Sequence, residues 1–378
     1  MHFDLNLYST PLLFGFAQGW IYAVLFWIRG WRHERLSDIL FGLLLVACTF
    51  EFWEYMLGFG GVEILWKELE FFPRNFSLLL PPLVWFYLKS QFNSDFRFQL
   101  SDLRHTLPFV VFALYHILVF AQGPVFVEYW KENIHFPIGI VHLEQVLIFA
   151  VQVVYFYKAY RLYQQYRYWT PLQFSDTESV SFRWFRNFTL VFLASGILSW
   201  SITLIDLWFD LDFWHDWWDE LFNAGLIYYL CIAGYAQTQP RRLHFEPEMD
   251  ADQQEVNRQD KMSEAEMLQW DHLLKQLMHA EKPYLEPELT IADLARRLQT
   301  NVSVLSAVIN KIYGKNFNDF VNAFRVDAVK TMMKDPEVAH LSLLGIGLEC
   351  GFNSKSTFNR AFKKATGKSP SGFNAPSG

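Results

Sequence analysis

Residues 341–373 read LSLLGIGLECGFNSKSTFNRAFKKATGKSPSGF. Ser342 is a start signal for a short helix, Gly351 forces a turn, and Ser354 opens a second helix that Gly367 ends. That second helix carries Lys355, Ser356, Asn359, Arg360 and Lys363, while Phe352, Phe358 and Phe362 read as core. A short helix, a tight turn and a polar, basic helix is the arrangement that fits a helix into a DNA major groove.

Upstream, residues 289–334 read LTIADLARRLQTNVSVLSAVINKIYGKNFNDFVNAFRVDAVKTMMK. Thr290 with Asp293 starts a short helix over 291–298, a turn follows, and a helix over 302–312 ends at Gly314. A longer helix over 318–333 leads to the Asp335–Pro336 break. Short helix, turn and helix thus occur twice, about 52 residues apart, joined by a connector. Two such helices held at fixed spacing reach successive major grooves about 34 Å apart.

Here the chain resembles the arabinose-regulator (AraC/XylS) family of transcription factors over residues 289–373, on Phe320, Arg325, Gly351, Phe352, Ser354, Phe358, Phe362, Lys363, Gly367, Ser369 and Pro370. The resemblance implies groove-facing positions at Ser354, Lys355, Ser356, Asn359 and Arg360, with Arg360 suited to a guanine edge and Asn359 to an adenine. Lys363 and Lys364 suit phosphates, which position without specifying. In the first motif it implies Ser303, Ser306 and Ala307, flanked by Asn310 and Lys311. Members often carry a long polar or basic side chain where Ala307 stands. They usually carry Ala where Gly345 and Gly347 stand, and each glycine costs about 0.5–1 kcal/mol relative to Ala.

Charge separates this part from the rest. From Tyr284 onward twelve Lys/Arg face eight Asp/Glu, net +4, whereas residues 246–271 hold nine acids against Arg258 and Lys261, net −7. The whole-chain net of −7 averages unlike pieces and excludes nothing about nucleic acid. Cys48, Cys231 and Cys350 show no CxxC spacing, so neither a disulfide framework nor a metal site is expected, and no cofactor. Ser263 and Glu266 open a helix to about Ala280 whose stripe Met267, Trp270, Leu273, Leu274, Leu277, Met278 either pairs two protomers or packs on the domain that follows.

The first 238 residues look built for a bilayer. With 52% hydrophobic and 19% aromatic residues in the chain, seven apolar segments stand out, at about 11–28, 39–57, 76–92, 107–120, 141–163, 188–209 and 221–236, each near the length needed to cross about 30 Å of hydrocarbon. The first ten residues hold no Lys or Arg, so the first segment reads as a retained span. Connections one, three and five carry Arg29, Arg32, Arg35, Lys89, Arg97, Arg104, Lys158, Arg161, Arg167, Arg183 and Arg186, eleven bases. Connections two, four and six carry Lys67, Arg74 and Lys131, and Arg241–Arg242 follow the last span. The positive-inside rule then puts the amino terminus outside and the carboxyl terminus in the cytoplasm. This half is similar to that of a subgroup of such regulators with several N-terminal spans.

Polar groups inside spans are costly unless turned inward. Glu51, Glu54, His116, Glu144 and Asp206 are candidates for a sensor site, as are Trp214 and His215 in the aromatic, acidic sixth connection; interhelical hydrogen bonding and an interfacial aromatic belt are the plainer readings. The histidines His135, His142 and His215 have no metal-type spacing. The expected architecture is all-α: a seven-helix transmembrane bundle (1–238), an acidic linker (239–262), an amphipathic helix (263–282) and a tandem helix-turn-helix domain (283–378). The function expected is a membrane-embedded regulator, not an enzyme, whose partners are double-stranded DNA, lipid, an unknown ligand, RNA polymerase and a second copy of itself. A transporter or enzyme with a regulatory helical tail is the rival, but the chain shows no Walker, HExxH or GxSxG motif.

Overall fold

Proline and glycine placement sets where the apolar segments become helices. The computed structural model describes all residues except 1, 67, 179, 181–182, 210–211, 237–242, 244, 246–261, 339 and 375–378. The described residues are helical apart from turns, loops and isolated bridge residues at Asn93 and at Phe174 with Thr290. Two compact units form: residues 1–162 with 182–246, and residues 163–181 with 247–378. The acidic linker, with Arg241 and Arg242, lies almost wholly outside the described residues.

In the first unit α1 (Ser9–His33) packs against α2 (Leu36–Glu51) and α9 (Trp217–Tyr235). Small residues permit the approach: a Cβ on Gly15 would sit 3.1 Å from that of Ala224, and one on Gly19 would strike Thr49 at 2.4 Å. At the α1–α2 turn, Arg29 grips Asp38 through two 2.8 Å bonds. Further elements are α3 (Trp53–Phe59), α4 (Leu80–Phe92), α5 (Leu107–Phe120), α6 (Pro124–Trp130), α7 (Ile140–Gln173) and α8 (Arg183–Phe209). Polar side chains join neighbours: Trp200 Nε1 donates to Gln152 Oε1 at 2.8 Å, and Ser199 Oγ donates to Asp219 at 2.8 Å.

The seven expected spans become fewer by length and composition. Among the described residues three helices, α1, α7 and α8 (within Arg186–Asp206), are long and apolar enough to cross a membrane. The count is five if the bent pairs Leu36–Glu51 with Trp53–Phe59 (40°) and Leu107–Phe120 with Pro124–His135 (119°) each count once. The third segment falls short because α4 begins only at Leu80, ahead of Pro81 and Pro82, leaving 13 residues, about 20 Å of helix. The seventh, α9, opens with Asp219 and Glu220 in its first turn. Along α7 and α8, Leu143, Val146, Phe149, Val153, Leu190, Leu193, Ile197 and Leu204 are exposed.

The second unit takes residues 163–173 of α7 and then α10 (Glu264–Ala280), α11 (Ile291–Arg297), α12 (Val302–Tyr313), α13 (Phe317–Met332), α14 (Leu343–Glu349), α15 (Lys355–Thr366) and α16 (Pro370–Asn374). Its core has two lobes. Leu274, Leu277, Met278, Leu294, Leu305, Ile309 and Phe320 fill one. Val326, Val329, Ile346, Phe352, Phe358 and Phe362 fill the other. The stripe on α10 belongs to the first lobe, with Met267 and Trp270 packed at its edge, so its apolar face is covered by its own domain.

Candidate nucleic-acid interface and sensor cavity

Local chemistry builds both helix-turn-helix motifs. Asn301 and Ser354 cap α12 and α15, accepting from Val304 N at 2.9 Å and Thr357 N at 3.1 Å. Gly314 and Gly367 end the same helices in the left-handed conformation, at φ 61° and 77°. In the turns, Gln299 (φ 54°) and Gly351 (φ 90°) are equivalent. A Cβ at Gly351 would lie 2.4 Å from the Tyr284 carbonyl oxygen, so that turn requires glycine. Nothing in composition marked Gln299, a left-handed residue without the glycine signal.

On α15 the structure exposes Lys355, Ser356, Asn359, Arg360, Lys363 and Lys364 and buries Thr357, Phe358 and Phe362. Lys364 is committed elsewhere: its Nζ lies 2.7 Å from both carboxylate oxygens of Asp319 on α13. Ser354 is half-buried as the cap. On α12 the expectation needs correction. Ser306 and Ala307 are 9% and 1% exposed, because α10, α11 and α13 enclose this helix and bury five consecutive residues, 305–309. Ser303 and Asn310 are partly exposed and Lys311 is exposed. Asn310 Nδ2 points back toward Ser306 Oγ at 3.5 Å. The first motif thus offers a narrower polar face than the second.

Between the motifs lies Arg325, with no exposed surface. Its guanidinium donates to the carbonyl oxygens of Tyr284 (2.7 Å) and Glu286 (2.8 Å) and to Ser175 Oγ (3.0 Å). Burial pulls its pKa down to about 10, opposed by the nearby Asp176 carboxylate. Further out, Asp271 on α10 accepts from Lys275 Nζ and from the Tyr313 hydroxyl. Burial alone would raise its pKa; these bonds outweigh it and hold the carboxyl below its usual value. Burial also pushes the Cys350 thiol up to about 11, leaving it unreactive.

The first unit contains a cavity of about 270 Å³ that gathers Glu51, Glu54, His116 and Glu144, four of the residues expected to sense. Asp206, Trp214 and His215 are not among its lining residues. Trp214 stacks edge-on with Tyr8, and His215 Nδ1 lies 2.6 Å from Asp212. Basic side chains that the sequence reading did not single out complete the cavity. Arg74 binds Glu54 at 2.8 Å and Lys131 binds Glu70 at 2.6 Å. Their signal was present, since both sit in connections otherwise nearly free of bases. Glu51 takes a 2.7 Å bond from Ser77 Oγ on one oxygen; its other oxygen and Glu144 Oε1 are buried without a partner. Among the described residues no group of His, Cys, Asp and Glu is arranged for a metal.

Residues 294–375 match the family model described as a helix-turn-helix domain. The carboxyl-terminal unit carries an AraC-type helix-turn-helix domain. Over 82 residues, 22% of this chain and 26% of the relative, it is 29% identical to the melibiose operon regulatory protein of Escherichia coli K12. It is 29% identical over 98 residues to the HTH-type transcriptional regulator CdhR of Pseudomonas aeruginosa, covering 26% of this chain and 28% of that one. An uncharacterised HTH-type transcriptional regulator of Bacillus subtilis, YtdP, is 26% identical over 114 residues, 30% of this chain and 14% of the relative. The chain therefore spans less than a third of the length of each of these relatives. No solved structure matches it.

Proposed function

We propose that this chain is a membrane-embedded one-component transcription regulator that senses a cue in its first unit and binds promoter DNA through its second. The observation that carries this reading is the union, in one polypeptide, of an AraC-type domain with helices whose long apolar faces lie exposed. Apolar surface on that scale is unfavourable in water and neutral in lipid. α4 and α9 complete a seven-helix bundle beside the longer spans, with the amino terminus outside. The cavity around Glu51, Glu54, His116 and Glu144 is the sensor site. Its four glutamates outnumber its two permanent cations, Arg74 and Lys131, two carboxylate oxygens await donors, and Phe71 and Phe112 supply aromatic walls. A small organic cation fits that chemistry. DNA is read mainly by Lys355, Ser356, Asn359 and Arg360 of α15, with Lys363 on phosphate.

The test is a gel shift with full-length protein in nanodiscs. Binding that weakens steeply with salt, and Arg360→Ala losing about 1–3 kcal/mol of it, is expected. Salt-insensitive binding, or none, sinks the DNA reading. Reporter fusions after residue 374 placing that end outside the cell sink the topology.

A further inference from the structure

The loop leaving α7 lies across the DNA-binding domain, within the second unit, and touches the start of α11, α13 and the amino end of α15. Phe174 forms an antiparallel bridge with Thr290, the cap of α11, and Ser175 N donates to Leu289 O at 3.0 Å. The Ser175 carbonyl accepts from Asn318 Nδ2 of α13 at 2.6 Å, and its hydroxyl holds the buried Arg325. Asp176 accepts from Asn353 Nδ2 at 2.6 Å, in the turn before α15. Glu178 Oε2 accepts from the Ser354 hydroxyl and, at 2.8 Å, from the Thr357 hydroxyl. At its root, Tyr166 OH on α7 donates to Val180 O at 2.7 Å. Ser175 and Asp176 are 0% and 4% exposed, so this is a seated segment.

The placement of Glu178 is what matters. The amino end of a recognition helix enters the groove, and its N–H groups and capping hydroxyls are natural partners for phosphate oxygens. Here a carboxylate of the same chain occupies two of the hydroxyls, those of Ser354 and Thr357, and Asp176 adds a second carboxylate at Asn353, the residue before the cap. The Glu178 carboxylate would repel a phosphate backbone there, whereas Asp176 lies beside the buried Arg325. The segment also follows directly on α7, a helix long and apolar enough to span a membrane.

We propose that residues 174–178 are an autoinhibitory strap: Glu178 takes the place of a DNA phosphate at the amino end of α15, and the domain binds DNA at full affinity only when movement of α7 withdraws it. The inference rests on the DNA-reading function proposed above. It puts the route from span to domain through the loop after α7, in addition to any route through the linker after α9.

Two variants of the full-length protein, in nanodiscs of anionic phospholipid and with a labelled random-sequence duplex, test it. Glu178→Gln removes the charge and weakens the clasp, and binding tightens about tenfold, since a charge-assisted hydrogen bond no longer competes. Asp176→Cys with Asn353→Cys locks the strap by a disulfide; oxidised protein does not bind and reduced protein does. The native cysteines Cys48, Cys231 and Cys350 are buried and do not interfere. Equal affinity for wild type, Glu178→Gln, and oxidised and reduced double-cysteine protein overturns the strap and leaves DNA reading intact. No binding by any form overturns both.

Discussion

Alanine at Gly345 and alanine at Gly347 should move stability in opposite directions, although the two glycines lie two residues apart in one short helix. By propensity alone each substitution gains about 0.5–1 kcal/mol, because glycine loses more backbone freedom on folding. At Gly345 nothing opposes the gain: an added Cβ meets Ser342 Oγ at 3.4 Å and Leu341 Cβ at 3.7 Å, ordinary contact. At Gly347 the same atom lands 3.0 Å from two carbons of the Phe358 ring and 3.2 Å from a third. That ring is 2% exposed and wedged between Phe352 and Phe362, with centroids 5.3 and 5.8 Å away, so it has nowhere to retreat. Overpacking of this kind costs about 1–3 kcal/mol, which exceeds the propensity gain and leaves a net loss of about 1 kcal/mol. Hydrogen exchange on peptides covering α14 and α15 of the intact protein reads the local opening energy directly. Slower exchange for Gly345→Ala, faster for Gly347→Ala, and recovery when Gly347→Ala is combined with Phe358→Leu are expected. Protection increased equally by both alanines would refute the packing argument.

Three further outcomes follow from the same geometry. Arg325→Met strands the carbonyls of Tyr284 and Glu286 and should lower stability by about 3 kcal/mol in thermal unfolding, with Arg325→Lys recovering little because a compact ammonium does not reproduce the planar fork that bonds both carbonyls and Ser175. Lys363→Ala should reduce the salt slope of DNA binding by about one, and Lys364→Ala by less, since Asp319 already holds that side chain. Because Asp271 titrates below its ordinary value in the folded chain, its stabilisation is present above about pH 4 and lost as pH falls through the folded value. The gap in stability between wild type and Asp271→Asn should therefore narrow on acidification, and a gap that widens would contradict the assignment.

What the sequence settled by itself is local. Thr290, Ser342, Ser354 and Ser263 announce their helices because a capping side chain bonds its own backbone three residues on, and Gly314, Gly351 and Gly367 mark turns because φ there is positive. The exposed polar set on α15 follows from the period of one helix. Tertiary structure decided the rest, where contacts join residues far apart in the chain. Only packing on three sides shows that Ser306 and Ala307 face inward, and only the Phe358 ring shows that Gly347 is required rather than merely tolerated. Only folding brings Glu51 to Glu144 around one cavity, and Glu178 to Ser354 across 176 residues. Periodicity and capping report what a segment does with itself; which distant carboxylate sits on which helix end is set by how the helices pack.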